Sequence, residues 1–383
     1  MALTGIQILK LLPKTNCGEC KFPTCLAFAM ALAAGKTELD LCPHVSADAK
    51  AQLSDASAPP IRQVSIGVDD YGVKIGGETV LFRHEKTFFN KPGIAVLITD
   101  AMEDAEVERR LTALEYFQYE RVGVTMKPEM AAIKFTGNKD RFMSIVRSAL
   151  VRPCAVILMC GEVPVMKEAL DIIRDKKPLI YGATPDNYEA FGSLAKDYGL
   201  PLAVVGKGFD EVAGLTEKLT AMGLKDLVID TSSRGVGEAF TDQVAVRRAA
   251  LISKFKPLGF PTITFPCEMT DDPMKETLIA SLFVAKYAGI IVLSDLTGET
   301  LFPLLLQRLN IYTDPQRPMT TKEGIYPINN PDENSPVLVT CNFSLTYFIV
   351  SGEIENSRVP SWLCIMDTEG LSVMTEKIGR AHV

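Results

Sequence analysis

CAVILMCGEVPVMKEALDIIRDKKPLIYGA, residues 154–183, decides the fold. Two continuous apolar runs, 154–160 and 178–183, flank a segment whose apolar residues recur at helical spacing. A strand apolar on both sides belongs in a sheet covered on both faces, and a helix between two such strands makes the connection parallel. The alternation continues outward in both directions, through GIAVLI (93–98), RVGVTM (121–126), PLAVVG (201–206), DLVID (226–230), PTITF (261–265) and GIIVLSD (289–295). Helical stretches such as EVERRLTALEYF (106–117) lie between them. Eight such runs within residues 93–311 predict an α/β architecture, a (β/α)8 TIM barrel. A doubly wound sheet is the alternative, because pattern alone does not prove closure.

Barrel chemistry gathers where strands end and helices begin. Those ends carry Asp100, Asp230 and Asp295, and the loop SSRGVGE (232–238) with Gly235 and Gly237. A lone G-x-G is a common pattern, and Asp at a helix start more often caps than catalyses. No His and no Cys–His pair falls at these ends, so the barrel shows no acid–base or nucleophilic signature of its own.

The N-terminal segment is different. Residues 4–12 (TGIQILKLL) predict a short helix, followed by the loop KTNCGECKFPTC (14–25) and a helix-forming run LAFAMALAAGK (26–36) that ends at Gly35. Cys17, Cys20, Cys25 and Cys42 have the spacing C-x2-C-x4-C-x16-C. A tight loop brings three thiolates together, and a fourth returns after the helix. Four thiolates without a neighbouring His pair suit a [4Fe–4S] cluster. Structural zinc more often takes two short Cys knuckles, and only one C-x2-C is present, so zinc is the competing reading. His44, close to Cys42, reads as a surface residue. Cys154, Cys160, Cys267, Cys341 and Cys364 are scattered through apolar stretches and read as small buried hydrophobes.

SDASAPPIR (54–62) reads as a linker, so the cluster module is expected to span residues 1–58. Residues 63–89 alternate apolar and polar, with turn signals at Asp69–Asp70 and Gly76–Gly77, which predicts a small antiparallel element within 59–92. His84 lies in it with no second ligand nearby. Residues 312–336, rich in Pro, Asn and Asp, read as a second linker. Beyond it a β-α-β pattern runs through VLVTC (337–341), NFSLTYFIVSGEIENS (342–357) and WLCIMD (362–367). This is the opening of an α/β domain, expected over 337–377, whose ligands bind where strands end. The last residues, Ile378–Val383 (IGRAHV), leave the amphipathic pattern and equal one reading frame of a common sequencing adapter. They are expected to be a non-native tail, with the natural chain continuing past Lys377.

The whole chain has 383 residues, is 47% hydrophobic and 23% charged, and carries a net charge of −7. A negative chain is a poor partner for nucleic acid or an anionic membrane. No apolar run reaches the roughly 20 residues that span a bilayer, and the start does not read as a signal peptide. A cytoplasmic location is the expectation.

The run LTGIQILKLLPKTNCGEC-x4-C-LAFAM-x10-LCP, with APPIR, KIGGETVLFRHEKTFFN, ERVGVTM, NFSLTYFIVSGEIE and EGLSVMT, resembles the large (gamma) subunit family of corrinoid iron–sulfur proteins of the reductive acetyl-CoA (Wood–Ljungdahl) pathway. The resemblance covers residues 1–377. It implies a cluster domain, a barrel and a Rossmann-like corrinoid-binding domain, cut short here. It implies a methyl-group carrier that takes methyl from a methyl-tetrahydropterin, with tetrahydrofolate favoured, onto Co(I) of a cobalamin-type corrinoid and passes it to acetyl-CoA synthase. The protein is then a carrier associated with corrinoid-dependent methyltransferase activity. The cluster, held by Cys17, Cys20, Cys25 and Cys42, would reduce Co(II) formed by accidental oxidation. Thr340, Thr346, Gly370, Leu371, Ser372, Val373 and Thr375 match corrinoid contacts in the family. The implied partners are a small subunit forming a heterodimer, a methyltransferase, acetyl-CoA synthase/CO dehydrogenase and a low-potential donor such as ferredoxin. No D-x-H-x-x-G motif is present, and His44, His84 and His382 are the only histidines. A corrinoid without a histidine ligand, base-off, is implied. The alternative reading is a cluster-bearing electron-transfer protein fused to a barrel enzyme of unknown substrate.

Overall fold

The computed structural model describes residues 4–33, 37, 39–46, 49, 59–121, 124–314 and 319–367. The N-terminal unit opens with α1 (Gly5–Leu11), capped reciprocally by Thr4 and Gln7, and continues to α2 (Cys25–Ala33). Ile8, Leu12, Phe28, Ala29 and Leu32 form its apolar centre together with Cys20, Cys25 and Cys42. A core of so few residues stabilises little by burial alone.

A hairpin follows, β1 (Val64–Ile66) paired antiparallel with β2 (Val73–Ile75). It is shorter than the alternation over 63–89 predicts. Residues 78–92 form no strand, and His84 is exposed and stacked on Phe82. Val64, Ile66, Val73 and Ile75 pack against Met130, Ala155 and Leu179, the first buried residues of three barrel strands. The hairpin therefore plugs the N-terminal mouth of the barrel. Gly76, at φ +73°, ends β2 where a Cβ would lie 2.1 Å from the Arg62 carbonyl, so only glycine fits.

The barrel strands are β3 (Gly93–Thr99), β6 (Met130–Lys134), β7 (Ala155–Met159), β8 (Leu179–Ala183), β9 (Leu202–Val205), β10 (Leu227–Asp230), β11 (Ile263–Thr264) and β12 (Ile290–Leu293). All neighbours pair in parallel in the order β10-β9-β8-β7-β6-β3-β12-β11, and a bridge from Ile229 to Thr262 closes the ring. Between strands run α3 (Asp104–Tyr116), α4 (Lys139–Leu150), α5 (Val163–Ile173), α6 (Tyr188–Tyr198), α7 (Gly208–Ala221), α8 (Val236–Leu251), α9 (Pro273–Ala285) and α10 (Gly298–Ile311).

One strand is not where the apolar runs place it. The described residues of the 121–126 run, Arg121 and Val124–Met126, do not enter the barrel; they belong to a separate hairpin, β4 (Tyr119–Arg121) with β5 (Val124–Met126). The second barrel strand is MAAIK, Met130–Lys134, fully buried through Ile133. Two alanines with low strand propensity hide it in sequence, whereas burial on both sides decides it in the fold. Glu129, just before β6, forms a largely buried double hydrogen bond with Arg308 of α10, with both distances 2.8 Å.

The C-terminal unit is a three-stranded sheet, β13 (Gly324–Ile328), β14 (Val337–Cys341) and β15 (Ser361–Met366), with α11 (Ser344–Ser357) crossing one face. β14 and β15 are parallel, as the β-α-β pattern predicts; β13 pairs antiparallel with β15. β13 lies inside the stretch expected to be linker, where its Pro and exposed residues mask an edge strand. Leu363 and Ile365 are buried with Ile354 of α11. No helix among the described residues is long and apolar enough to cross a membrane.

Candidate metal centre and cofactor site

Loop 14–21 turns by repeated left-handed residues: Lys14, Asn16, Gly18 and Lys21 all have φ between +50° and +77°. Such alternation is the backbone pattern of a nest, which favours an anion, thiolate clusters included. Asn16 fixes its wall. The Asn16 side-chain Oδ1 accepts the Cys25 N–H at 2.8 Å, and the Asn16 N–H donates to Cys25 Sγ at 3.4 Å. Cys20, Cys25 and Cys42 are buried and Cys17 is exposed. Cys17 Sγ lies within 4.8 Å of ligand atoms of Glu19 and His44, whose side chains pair at 3.1 Å. Gly35 lies outside the described residues.

The remaining cysteines divide. Cys154 and Cys160 are buried as expected, but Cys267, Cys341 and Cys364 are only partly covered. Cys364 alternates with Leu363 and Ile365 and so faces away from α11. Burial pushes the Cys160 thiol up to about 11 and the Cys267 thiol up to about 12, so both stay protonated near neutral pH.

At the barrel's C-terminal mouth the three acids bond loops rather than cap their own helices. Asp100 accepts N–H groups of Thr136, Gly137 and Asn138. Burial opposes its ionisation, but these bonds and the Thr136 hydroxyl outweigh it and hold the carboxyl below its usual value. Asp295 pairs with Arg109 and accepts the Leu296 N–H, each at 2.7 Å. Asp230 accepts the Tyr181 hydroxyl at 2.5 Å and Arg234 at 2.9 Å. Arg234 also donates to Glu268 at 2.5 Å, and Lys134 donates to Glu268 at 2.9 Å. These charges satisfy one another. Gly235 and Gly237 start α8 with no side-chain cap.

In the C-terminal unit, Thr340 ends β14 and Thr346 sits in the first turn of α11, both half-buried. Gly370, Leu371, Ser372, Val373 and Thr375 lie outside the described residues, as does Ile378–Val383. Two residues that pattern reasoning missed meet just past the end of β14. Thr321 and Ser344 have buried hydroxyls with no hydrogen-bond partner. Thr321 falls in a stretch that reads as linker, and no local signal marks it. Asn16 was legible in principle: an Asn directly before the first cysteine suits a left-handed turn residue.

Residues 63–381 match the family described as CO dehydrogenase/acetyl-CoA synthase delta subunit, and residues 12–44 match a putative Fe-S cluster family. The chain is 44% identical over 377 residues to the corrinoid/iron-sulfur protein large subunit of Moorella thermoacetica, covering 98% of this chain and 84% of that protein. It is 36% identical to the acetyl-CoA decarbonylase/synthase complex subunit gamma of Methanopyrus kandleri, over 97% of this chain and 83% of that one. The corresponding subunit of Methanothermobacter thermautotrophicus is 31% identical, over 97% and 84%. On this sequence similarity, with the four-cysteine loop and the barrel in place, the chain belongs to the family of corrinoid/iron-sulfur protein large subunits and acetyl-CoA decarbonylase/synthase gamma subunits.

Proposed function

We propose that this chain carries a methyl group in the acetyl-CoA pathway, receiving it from a methyl-tetrahydropterin, with tetrahydrofolate favoured, and delivering it to acetyl-CoA synthase. The observation that carries this reading is one chain holding both a four-cysteine nest and a parallel strand end with unpartnered buried hydroxyls, in relatives named for a corrinoid and an iron–sulfur group. Bound corrinoid would supply a cobalt that takes and yields methyl, and a bound [4Fe–4S] cluster would supply the electron that restores the reduced cobalt.

The residues fit both groups. Cys17, Cys20, Cys25 and Cys42 would hold the cluster. Among the described residues no three of these sulfurs lie within 4.8 Å of one another. One short Cys knuckle rather than two, in the spacing C-x2-C-x4-C-x16-C, supports an iron–sulfur centre over zinc. Thr340 and Thr346, with Gly370, Leu371, Ser372, Val373 and Thr375, would contact the corrinoid. His44 and His84 belong to other parts of the chain than the C-terminal sheet, His382 falls in the segment read as a non-native tail, and no D-x-H-x-x-G motif is present, which supports a base-off corrinoid without histidine. The small subunit, a methyltransferase, acetyl-CoA synthase/CO dehydrogenase and a ferredoxin-like donor are the proposed partners, in the cytoplasm. At the barrel mouth, Asp230, Arg234, Glu268 and Lys134 neutralise one another, which supports a scaffold role for the barrel.

Anaerobic purification with metal analysis tests this. About four irons per chain, a broad visible band bleached by dithionite, and uptake of a corrinoid are expected. Zinc in a colourless protein would overturn the cluster reading; iron with no corrinoid uptake would favour a plain electron-transfer protein.

A further inference from the structure

The start of α11 breaks the rule for helix ends. Its N-cap residue is Phe343, which offers no side-chain acceptor to the first turn. Ser, Thr, Asp and Asn are favoured at that position because a side-chain oxygen there accepts from the first turn. The helix has 14 residues, so its dipole and the first-turn N–H groups beyond that of Ser344 favour an oxygen acceptor placed before it.

Next to this end lies a short antiparallel bridge. The Thr321 N–H donates to Asn342 O at 2.8 Å and the Ser344 N–H donates to Met319 O at 2.9 Å, with Thr320 opposite Phe343. Extended strands alternate their side chains. Thr321, Asn342 and Ser344 therefore share the face opposite to Thr320 and Phe343. Thr321 is 9% exposed and Ser344 5%, and neither hydroxyl has a partner. Asn342 is tied to Asp367 at 2.8 Å, just past the end of β15. Two orphaned hydroxyls thus sit just past the C-terminal end of β14, at a helix start without a side-chain cap. A buried hydroxyl without a partner has given up its bonds to water for nothing in return, so two together need an explanation.

We propose that Thr321 and Ser344 form a hydroxyl seat, completed by the α11 N-terminus, for an acceptor oxygen of the corrinoid. This rests on the corrinoid reading above and adds two residues to it, one from before the C-terminal β-α-β unit. The oxygen is either the phosphodiester of the nucleotide tail or an amide carbonyl on the ring; both accept from a hydroxyl.

The test compares the full chain with Thr321→Val, Ser344→Ala and the double variant. Each is titrated with aquocobalamin and with diaquocobinamide, which lacks the nucleotide tail, and binding is read from the visible spectrum. Thermal unfolding without corrinoid is measured in parallel. Each substitution should weaken cobalamin binding about tenfold, and Thr321→Ser should restore it. A loss confined to cobalamin assigns the phosphodiester; an equal loss for both corrinoids assigns a ring carbonyl. The corrinoid-free unfolding midpoint should hold or rise, because an orphaned hydroxyl has been removed. Unchanged affinities, or a midpoint that falls in step with affinity, would overturn the proposal. A parent chain that binds neither corrinoid sinks the corrinoid reading itself, and the seat with it.

Discussion

Asn16 grips Cys25 from both sides, its side-chain oxygen on the Cys25 N–H at 2.8 Å and its own N–H on the sulfur at 3.4 Å. The backbone at Asn16 is left-handed, φ +50°, a conformation Asn tolerates better than most residues. Asn16→Ala removes the first bond and strains the turn that makes the second. N–H bonds to sulfur stabilise the more negative, reduced state of a cluster. The variant should retain less iron, and what it retains should reduce at a more negative potential, measured by redox titration followed by electron paramagnetic resonance. An unchanged potential would remove Asn16 from the tuning of the centre.

The cysteines separate into two classes under substitution. Cys20→Ser and Cys42→Ser should each abolish stoichiometric iron, because both thiols lie in the N-terminal apolar centre around the nest. Cys160→Ser in the barrel should leave iron content unchanged. Iron analysis of anaerobically purified chains decides between this partition and a second metal site.

Arg308 and Glu129 tie α10 to the start of β6. Arg308 is 2% exposed and also donates to the Pro92 and Lys127 carbonyls at 2.8 Å each. Arg308→Ala strands a buried carboxylate and should cost about 3–5 kcal/mol in denaturant unfolding. Burial pushes the Glu129 pKa up, but Arg308 and Lys91 outweigh it and hold the carboxyl below its ordinary value. The folded value is the lower one. The pair's stabilisation is therefore complete above the unfolded carboxyl pKa of about 4.3 and is lost as pH falls through the folded value. In Glu129→Gln this acid-limb loss should disappear from the stability–pH curve.

The barrel mouth should prove structural. Arg234→Ala leaves Asp230 and Glu268 without their shared partner and should destabilise the chain by about 3 kcal/mol. Iron content and corrinoid uptake should not change. A variant with parent stability but impaired corrinoid uptake would give the mouth a functional role.

Local sequence determined what depends on neighbours along the chain. The short helix within residues 4–12, the cysteine spacing of the nest, the periodicity of the barrel helices and the β14–α11–β15 order were all legible, because each follows from side-chain spacing over a few residues. Only tertiary structure decided the rest. Burial on both faces, rather than strand propensity, put Met130–Lys134 in the barrel and left Arg121 and Val124–Met126 outside. Pairing with β15 made an edge strand of Gly324–Ile328 in a stretch that reads as linker. Charges distant in sequence, Lys134, Arg234 and Glu268, met at the mouth only after eight strands closed into a ring. Thr321 joined Ser344 through one backbone bridge that no local pattern encodes, since the free energy of that contact comes from burial shared across the fold.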